Sequence, residues 1–162
     1  MLTSDQLNDS YDKYYLKASS LNRKTLKRRI DKLNKDMICD PSKFSEFDNY
    51  KIILYAIAYY LPDYGFLFIE NLNGALCSPE NNIIYLDNRI IYENPNDVRE
   101  VIYHEIAHAK EVEEIGYKKW IKQVKKARKE KKDIIKIKHS SKKFLKWCKF
   151  FNCTPRPSYY FK

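Results

Sequence analysis

At 162 residues the chain is one domain by size, and a hydrophobic share of 44% with 15% aromatic residues excludes an intrinsically disordered chain. A net charge of +10 points to an anionic partner, nucleic acid first, while no apolar run reaches the ~20 residues that span a bilayer. The opening Met1-Leu-Thr-Ser-Asp-Gln6 has neither the basic nor the apolar region of a secretory signal, so an intracellular, non-secreted protein is expected.

Residues 4–18 are polar, with Tyr11, Tyr14 and Tyr15 at loosely helical spacing. Leu21 to Ile38 reads as a helix, because Leu26, Ile30, Leu33 and Met37 repeat at 4, 3 and 4. Residues 1–44 are therefore expected to be a helical N-terminal extension, closed by the break at Asp40-Pro-Ser42. Asp48 to Leu61 is the most apolar helix, expected to be buried on most sides and ended by Pro62-Asp63. Gly65–Glu70, Gly74–Cys77 and Ile83–Leu86 then read as three short strands, with a turn at Ser78-Pro-Glu-Asn-Asn82.

The next helix is predicted from Pro95 to about Glu114. Asn94 serves as its N-cap, Pro95 occupies the first turn, and Gly116 stops it. Val98, Ile102, Ile106 and Ala109 give it an apolar stripe. The same helix carries His104-Glu-Ile-Ala-His108. Residues four apart share a helical face, so the two imidazoles can bind one metal ion. Glu105, one residue on from His104, suits a general base toward water rather than a ligand. Only three histidines occur in the chain, and two stand at this spacing.

The charge is unevenly spread. Residues 1–117 carry 14 Lys and Arg against 19 Asp and Glu, a net of −5, whereas residues 118–162 carry 17 against 2, a net of +15. Residues 117–132 read as a basic helix with a narrow stripe of Trp120, Ile121, Val124 and Ala127. Lys118, Lys122, Lys125, Lys129 and Lys132 fall on one side of it, with Lys126 flanking, and form the candidate nucleic-acid-binding surface. Ile134-Ile-Lys-Ile137 reads as a short β-like connector. A last helix follows His139, capped by a serine, with Phe144, Leu145, Trp147, Cys148 and Phe151 on its apolar face. The four cysteines, at 39, 77, 148 and 153, form no Cys-x-x-Cys pair and are expected as free, mostly buried thiols.

A catalytic zinc usually takes three protein ligands. Glu111 shares the face of His104 and His108 but lies about 10 Å along the rod from His104. His139, the one remaining histidine, is the better third ligand, with Glu111, Glu113 and Glu114 as fallbacks. Tyr103, Tyr117 and Tyr159 are candidate oxyanion partners.

This order of apolar helix, three strands, H-E-x-x-H helix and later His-x-x-x-x-Phe helix resembles the SprT-like zinc metalloproteases over roughly residues 45–157. His104-Glu-Ile-Ala-His108-Ala109 resembles the family's motif. His139-Ser-Ser-Lys-Lys-Phe144, running on to Asn152-Cys-Thr-Pro155, resembles its third-ligand segment. The resemblance implies an α+β, zincin-like single domain with one Zn²⁺ held by His104, His108 and His139. Residues 117–136 would then be an inserted basic element. It further implies proteolysis of DNA-associated or DNA-crosslinked proteins, with DNA bound through residues 118–149. Three other functions fit the same residues: a zinc protease for one regulatory protein without DNA, a nucleic-acid-binding module with a structural metal, or a metal-dependent amidohydrolase acting on a non-peptide substrate.

Overall fold

The computed structural model describes residues 38–155 apart from 40, 73 and 81. The helices expected over residues 4–18 and 21–37 lie outside the described residues. The architecture is α+β. It begins with a two-residue strand β1 (Ile38–Cys39), a 3-10 turn (Pro41–Phe44) and helix α1 (Asp48–Tyr60). Strands β2 (Gly65–Ile69), β3 (Ala75–Ser78) and β4 (Ile83–Asp87) follow. A second 3-10 turn (Asn88–Tyr92) leads to α2 (Pro95–Ile115), α3 (Tyr117–Lys129), α4 (Ile134–Lys138) and α5 (Lys142–Phe151).

The sheet is four-stranded in the order β1-β2-β4-β3, so the three expected strands gain a short fourth. Ile38, expected to close a helix, instead pairs antiparallel with Ile69 on the free edge of β2. The end of the N-terminal extension thus belongs to the sheet. β2 runs parallel to β4, and β3 runs antiparallel to it. β3 is the edge nearest α2, which packs on it.

The core forms between sheet and helices. Phe68, Ile84 and Leu86 of the sheet meet Ile53 and Ile57 of α1 and Ile102 and Ile106 of α2. All four residues of the α2 stripe, Val98, Ile102, Ile106 and Ala109, are fully buried. Helix α1 corrects its expectation of burial on most sides. It buries the Ile53, Ala56 and Ile57 face and leaves Tyr55 and Tyr59 at 66% and 78% exposure, because among the described residues sheet and α2 cover it from one side. Buried Asn49 donates from Nδ2 to the carbonyls of Ile91 and Glu93, both at 2.7 Å, and so ties the start of α1 to the entrance of α2.

Helix α2 begins and ends where its caps predict. Asn94 accepts from Asn96 N–H at 2.9 Å with Pro95 in the first turn. Gly116 ends it at φ +93°, a conformation costly for residues with a Cβ, and its N–H donates to Val112 at 2.8 Å. The chain turns there into α3, which lays Trp120, Val124 and Ala127 against Val112.

Residues 134–137 are helical, which corrects the β-like connector. The β-branched run looks extended, but Asp133 Oδ1 accepts from Lys136 N–H at 3.1 Å, and Ile137 N–H reaches the Asp133 carbonyl at 3.0 Å. That local capping starts a turn of helix. Among the described residues no helix is long and apolar enough to cross a membrane.

Candidate metal centre

Helix α2 delivers two of the three histidines and the turn between α4 and α5 delivers the third. His104 and His108 project from the same side of α2, as their spacing requires. The three Nε2 atoms converge: His104 to His108 at 3.2 Å, His108 to His139 at 3.2 Å, and His104 to His139 at 3.3 Å. A tetrahedral ion with Zn–N bonds of about 2.0–2.1 Å would set its ligands about 3.3–3.4 Å apart. The triangle matches that spacing within a tenth or two of an ångström. Three histidine nitrogens lie close enough to bind one metal ion, and residues 31 positions apart in sequence have been brought together to do it.

Outer partners set the orientation of the rings. His104 Nδ1 lies 2.9 Å from the Thr154 carbonyl, which can only accept, so Nδ1 carries the proton and Nε2 turns its lone pair to the centre. The Thr154 N–H in turn donates to the Glu100 carboxylate, one turn before His104 on α2. A chain from Glu100 through the Thr154 peptide to His104 therefore fastens the segment after α5 to the metal-facing side of α2.

Phe144 supplies the floor. Its ring is fully buried, stacks on His108 with centroids 4.1 Å apart at 14°, and meets His104 and His139 edge-on at 5.2 and 5.5 Å. It stands in the first turn of α5, where Ser141 caps the helix by accepting the Phe144 N–H at 3.2 Å. The Ser141 hydroxyl donates to the Glu111 carboxylate, buried at 3% exposure. Burial holds the Glu111 carboxyl above its usual range, opposed by the Ser141 hydroxyl, the Phe144 N–H and the charges of Lys138 and Lys143.

These contacts engage the fallback ligands elsewhere. Glu111 anchors the α5 cap. Glu113 pairs with Lys110 at 3.1 Å. Glu114 accepts from Lys146 Nζ at 2.7 Å and Trp147 Nε1 at 3.0 Å, stitching α2 to α5. Glu105 is buried at 3% exposure on α2 beside His104. Of the candidate oxyanion partners, Tyr103 stacks on Phe151 at 5.3 Å, and burial pushes its hydroxyl up. The Tyr117 hydroxyl donates to Glu80 at 3.3 Å, and Tyr159 lies outside the described residues.

The basic surface is present with one correction. Lys118, Lys122, Lys125, Lys126 and Lys129 are exposed on α3, away from its Trp120 stripe. Lys132 is not on that helix. The chain leaves α3 after Lys129, with Lys131 in the left-handed region at φ +57° and Lys132 N–H donating back to the Ala127 carbonyl at 3.0 Å. The Lys132 ammonium pairs with Glu130 at 2.8 Å.

Glu100, Thr154 and Ser141 were missed by sequence reasoning as parts of the site. Ser141 carried a signal as a helix cap and Thr154 as part of the segment 152–155, while Glu100 carried none. Comparison with protein-family models, with curated proteins and with solved structures finds no match. What the fold and site define by themselves is an α+β protein with a three-imidazole cluster able to hold a metal ion.

Proposed function

We propose that the protein is a zinc-dependent metallopeptidase with a zincin-like, SprT-like domain. The observation that carries the proposal is the Nε2 triangle of 3.2–3.3 Å edges, with a buried glutamate one residue from the first ligand. His104, His108 and His139 would hold the ion as neutral imidazoles, a donor set and spacing suited to zinc. A zinc ion bound there would polarise a peptide carbonyl and acidify water. Glu105 takes the proton of the attacking water and passes it to the leaving amine, a role worth ~10²–10⁴-fold. The Thr154 carbonyl keeps His104 in the ligating tautomer, and the Phe144 ring excludes water from beneath the three histidines.

A structural metal needs no carboxylate beside its first ligand, and a fourth protein ligand would close the site. Among the described residues three histidines make up the cluster, which leaves a position open and favours catalysis. The lysines of α3 add a second element: the substrates we favour are proteins associated with or crosslinked to DNA, held by the phosphate backbone against this surface. A protease that cleaves one regulatory protein without DNA would share the chemistry and dispense with the lysines.

Hydrolysis of casein, and of histones free and DNA-bound, by the zinc-loaded protein tests the proposal. Glu105→Gln should retain zinc while the rate falls ~10²-fold or more. Equal activity in parent and variant would exclude Glu105 as the base. Zinc retained with no cleavage by either form would favour the structural-site reading.

A further inference from the structure

We propose that Cys148 and Cys153 form a modification site, a thiol pair that a hydroperoxide converts to a disulfide, and that its closure loosens the metal centre through Thr154. Helix α5 ends with Asn152 in the left-handed region at φ +56°. The Cys153 N–H donates to the Cys148 carbonyl at 2.9 Å and the Asn152 N–H to the Lys149 carbonyl at 3.2 Å. This pair of bonds is the Schellman arrangement, which brings the side chains six positions apart, counting both ends, into contact across the helix end. In most helices apolar side chains meet there. Here two thiols meet, hydrogen-bonded to each other and packed on Phe144 and Trp147.

The two sulfurs are unequal. Cys148 is buried at 2% exposure, while Cys153 is half-buried and the more accessible of the two. The hydrogen bond from Cys148 draws the Cys153 thiol below its ordinary range, against desolvation and the charges of Glu100 and Glu105. The same bond and burial hold Cys148 up. Cys153 is therefore the attacking sulfur and Cys148 the resolving one.

The Cys153 thiolate attacks the terminal oxygen of the hydroperoxide. The O–O bond breaks, the sulfur becomes a sulfenic acid, and the leaving oxygen departs as water or alcohol after taking a proton. Cys148 sulfur then attacks the sulfenic sulfur, the S–O bond breaks, and hydroxide leaves as water with the Cys148 proton. Two thiols lose two electrons to the peroxide, and a dithiol reductant reverses the change.

Closure reaches the metal site through one peptide bond. Cys153 precedes Thr154, whose carbonyl orients His104 and whose N–H is held by Glu100. Drawing the sulfurs from hydrogen-bond contact to a covalent bond of about 2.05 Å turns the Cys153 backbone and shifts the Thr154 carbonyl from Nδ1. Loss of such an outer partner typically weakens metal binding about 10–100-fold. The coupling rests on the metal reading above; the disulfide does not.

The experiment treats the metal-free protein with hydrogen peroxide, maps it by tryptic mass spectrometry, and measures zinc affinity by competition with a chromogenic chelator. Trypsin cuts after Lys149, so a link shows as two joined peptides that lack two hydrogens. We expect that link, a loss of zinc affinity of about tenfold or more, and recovery with dithiothreitol. Cys153→Ser should bind zinc as the reduced parent does and ignore peroxide. Cys148→Ala should instead accumulate a sulfenic acid at Cys153 that dimedone traps. Peroxide treatment that leaves the two residues unlinked overturns the proposal. A linked protein with unchanged zinc affinity overturns the coupling. If neither redox form binds zinc, the coupling falls together with the metal reading while the link stands.

Discussion

Glu100 shows how much of the centre is carried by residues that never touch the three converging nitrogens. Its carboxylate holds the Thr154 N–H, and the Thr154 carbonyl holds His104 Nδ1 at 2.9 Å. Glu100→Ala removes one end of that chain and leaves the rings and the core stripe in place. Zinc affinity should fall about 10-fold or more, read by chelator competition, with the circular dichroism of the parent retained. Unchanged affinity would show that Thr154 is held by its own turn after α5. The position illustrates what sequence reading misses. Glu100 belongs to no motif, and Thr154 acts through its backbone N–H and carbonyl, which any residue except proline could supply. His104, Glu105 and His108 were legible because the chemistry dictates their spacing along one helix. His139 was legible by elimination among three histidines.

Helix α5 is the element that turns a two-histidine helix into a three-nitrogen site, and its N-terminus is where a buried carboxylate enters the energetics. Glu111 takes the Ser141 hydroxyl and the Phe144 N–H, and so sets the ring of Phe144 against His108. Burial raises the folded-state value of this carboxyl above its unfolded value. The folded state therefore binds more protons through that window, and the Glu111 contribution to stability is present at acid pH and lost as pH rises through the folded value. Glu111→Gln keeps an acceptor for Ser141 and has no charge to desolvate. Its stability relative to the parent, from urea unfolding of the metal-free proteins, should improve as pH climbs from below the carboxylate range to neutrality. A constant difference across that range would show that the Ser141 hydroxyl and the lysines satisfy the charge fully. Elements were otherwise readable where caps announce them, as at Asn94-Pro95 and Gly116. They were misread where tertiary or local hydrogen bonds overrule propensity. Ile38 joins the sheet because β2 offers an unpaired edge, and Ile134–Lys138 curls into a helix because Asp133 caps it. The end of α3 was hidden for another reason, since Lys131 takes the left-handed position that glycine usually marks.

At the scale of the molecule, the charge asymmetry visible in the sequence becomes a position. The net −5 of residues 1–117 includes the sheet and α2, and the net +15 of residues 118–162 includes α3 and α5, both of which pack on α2. The exposed lysines of α3 stand on the helix whose apolar stripe covers Val112, one turn past His108. We expect DNA binding with little sequence preference and a steep salt dependence, since counterion release gives a slope of about −0.9 per phosphate neutralised. Replacing Lys122, Lys125, Lys126 and Lys129 by glutamate should weaken binding and flatten that slope in fluorescence titrations, leaving zinc in place. Equal binding by the charge-reversed protein would assign the surface to another partner and leave the proposed hydrolysis untouched.

Purified without chelator, the protein should carry about one zinc per chain by elemental analysis, as three converging imidazoles with one open position require. His139→Ala, which removes the ligand that α4 and α5 bring to α2, should lose that zinc while the helical circular dichroism persists. A parent free of metal after loading with excess zinc, or a His139→Ala protein with full occupancy, would contradict the three-histidine centre.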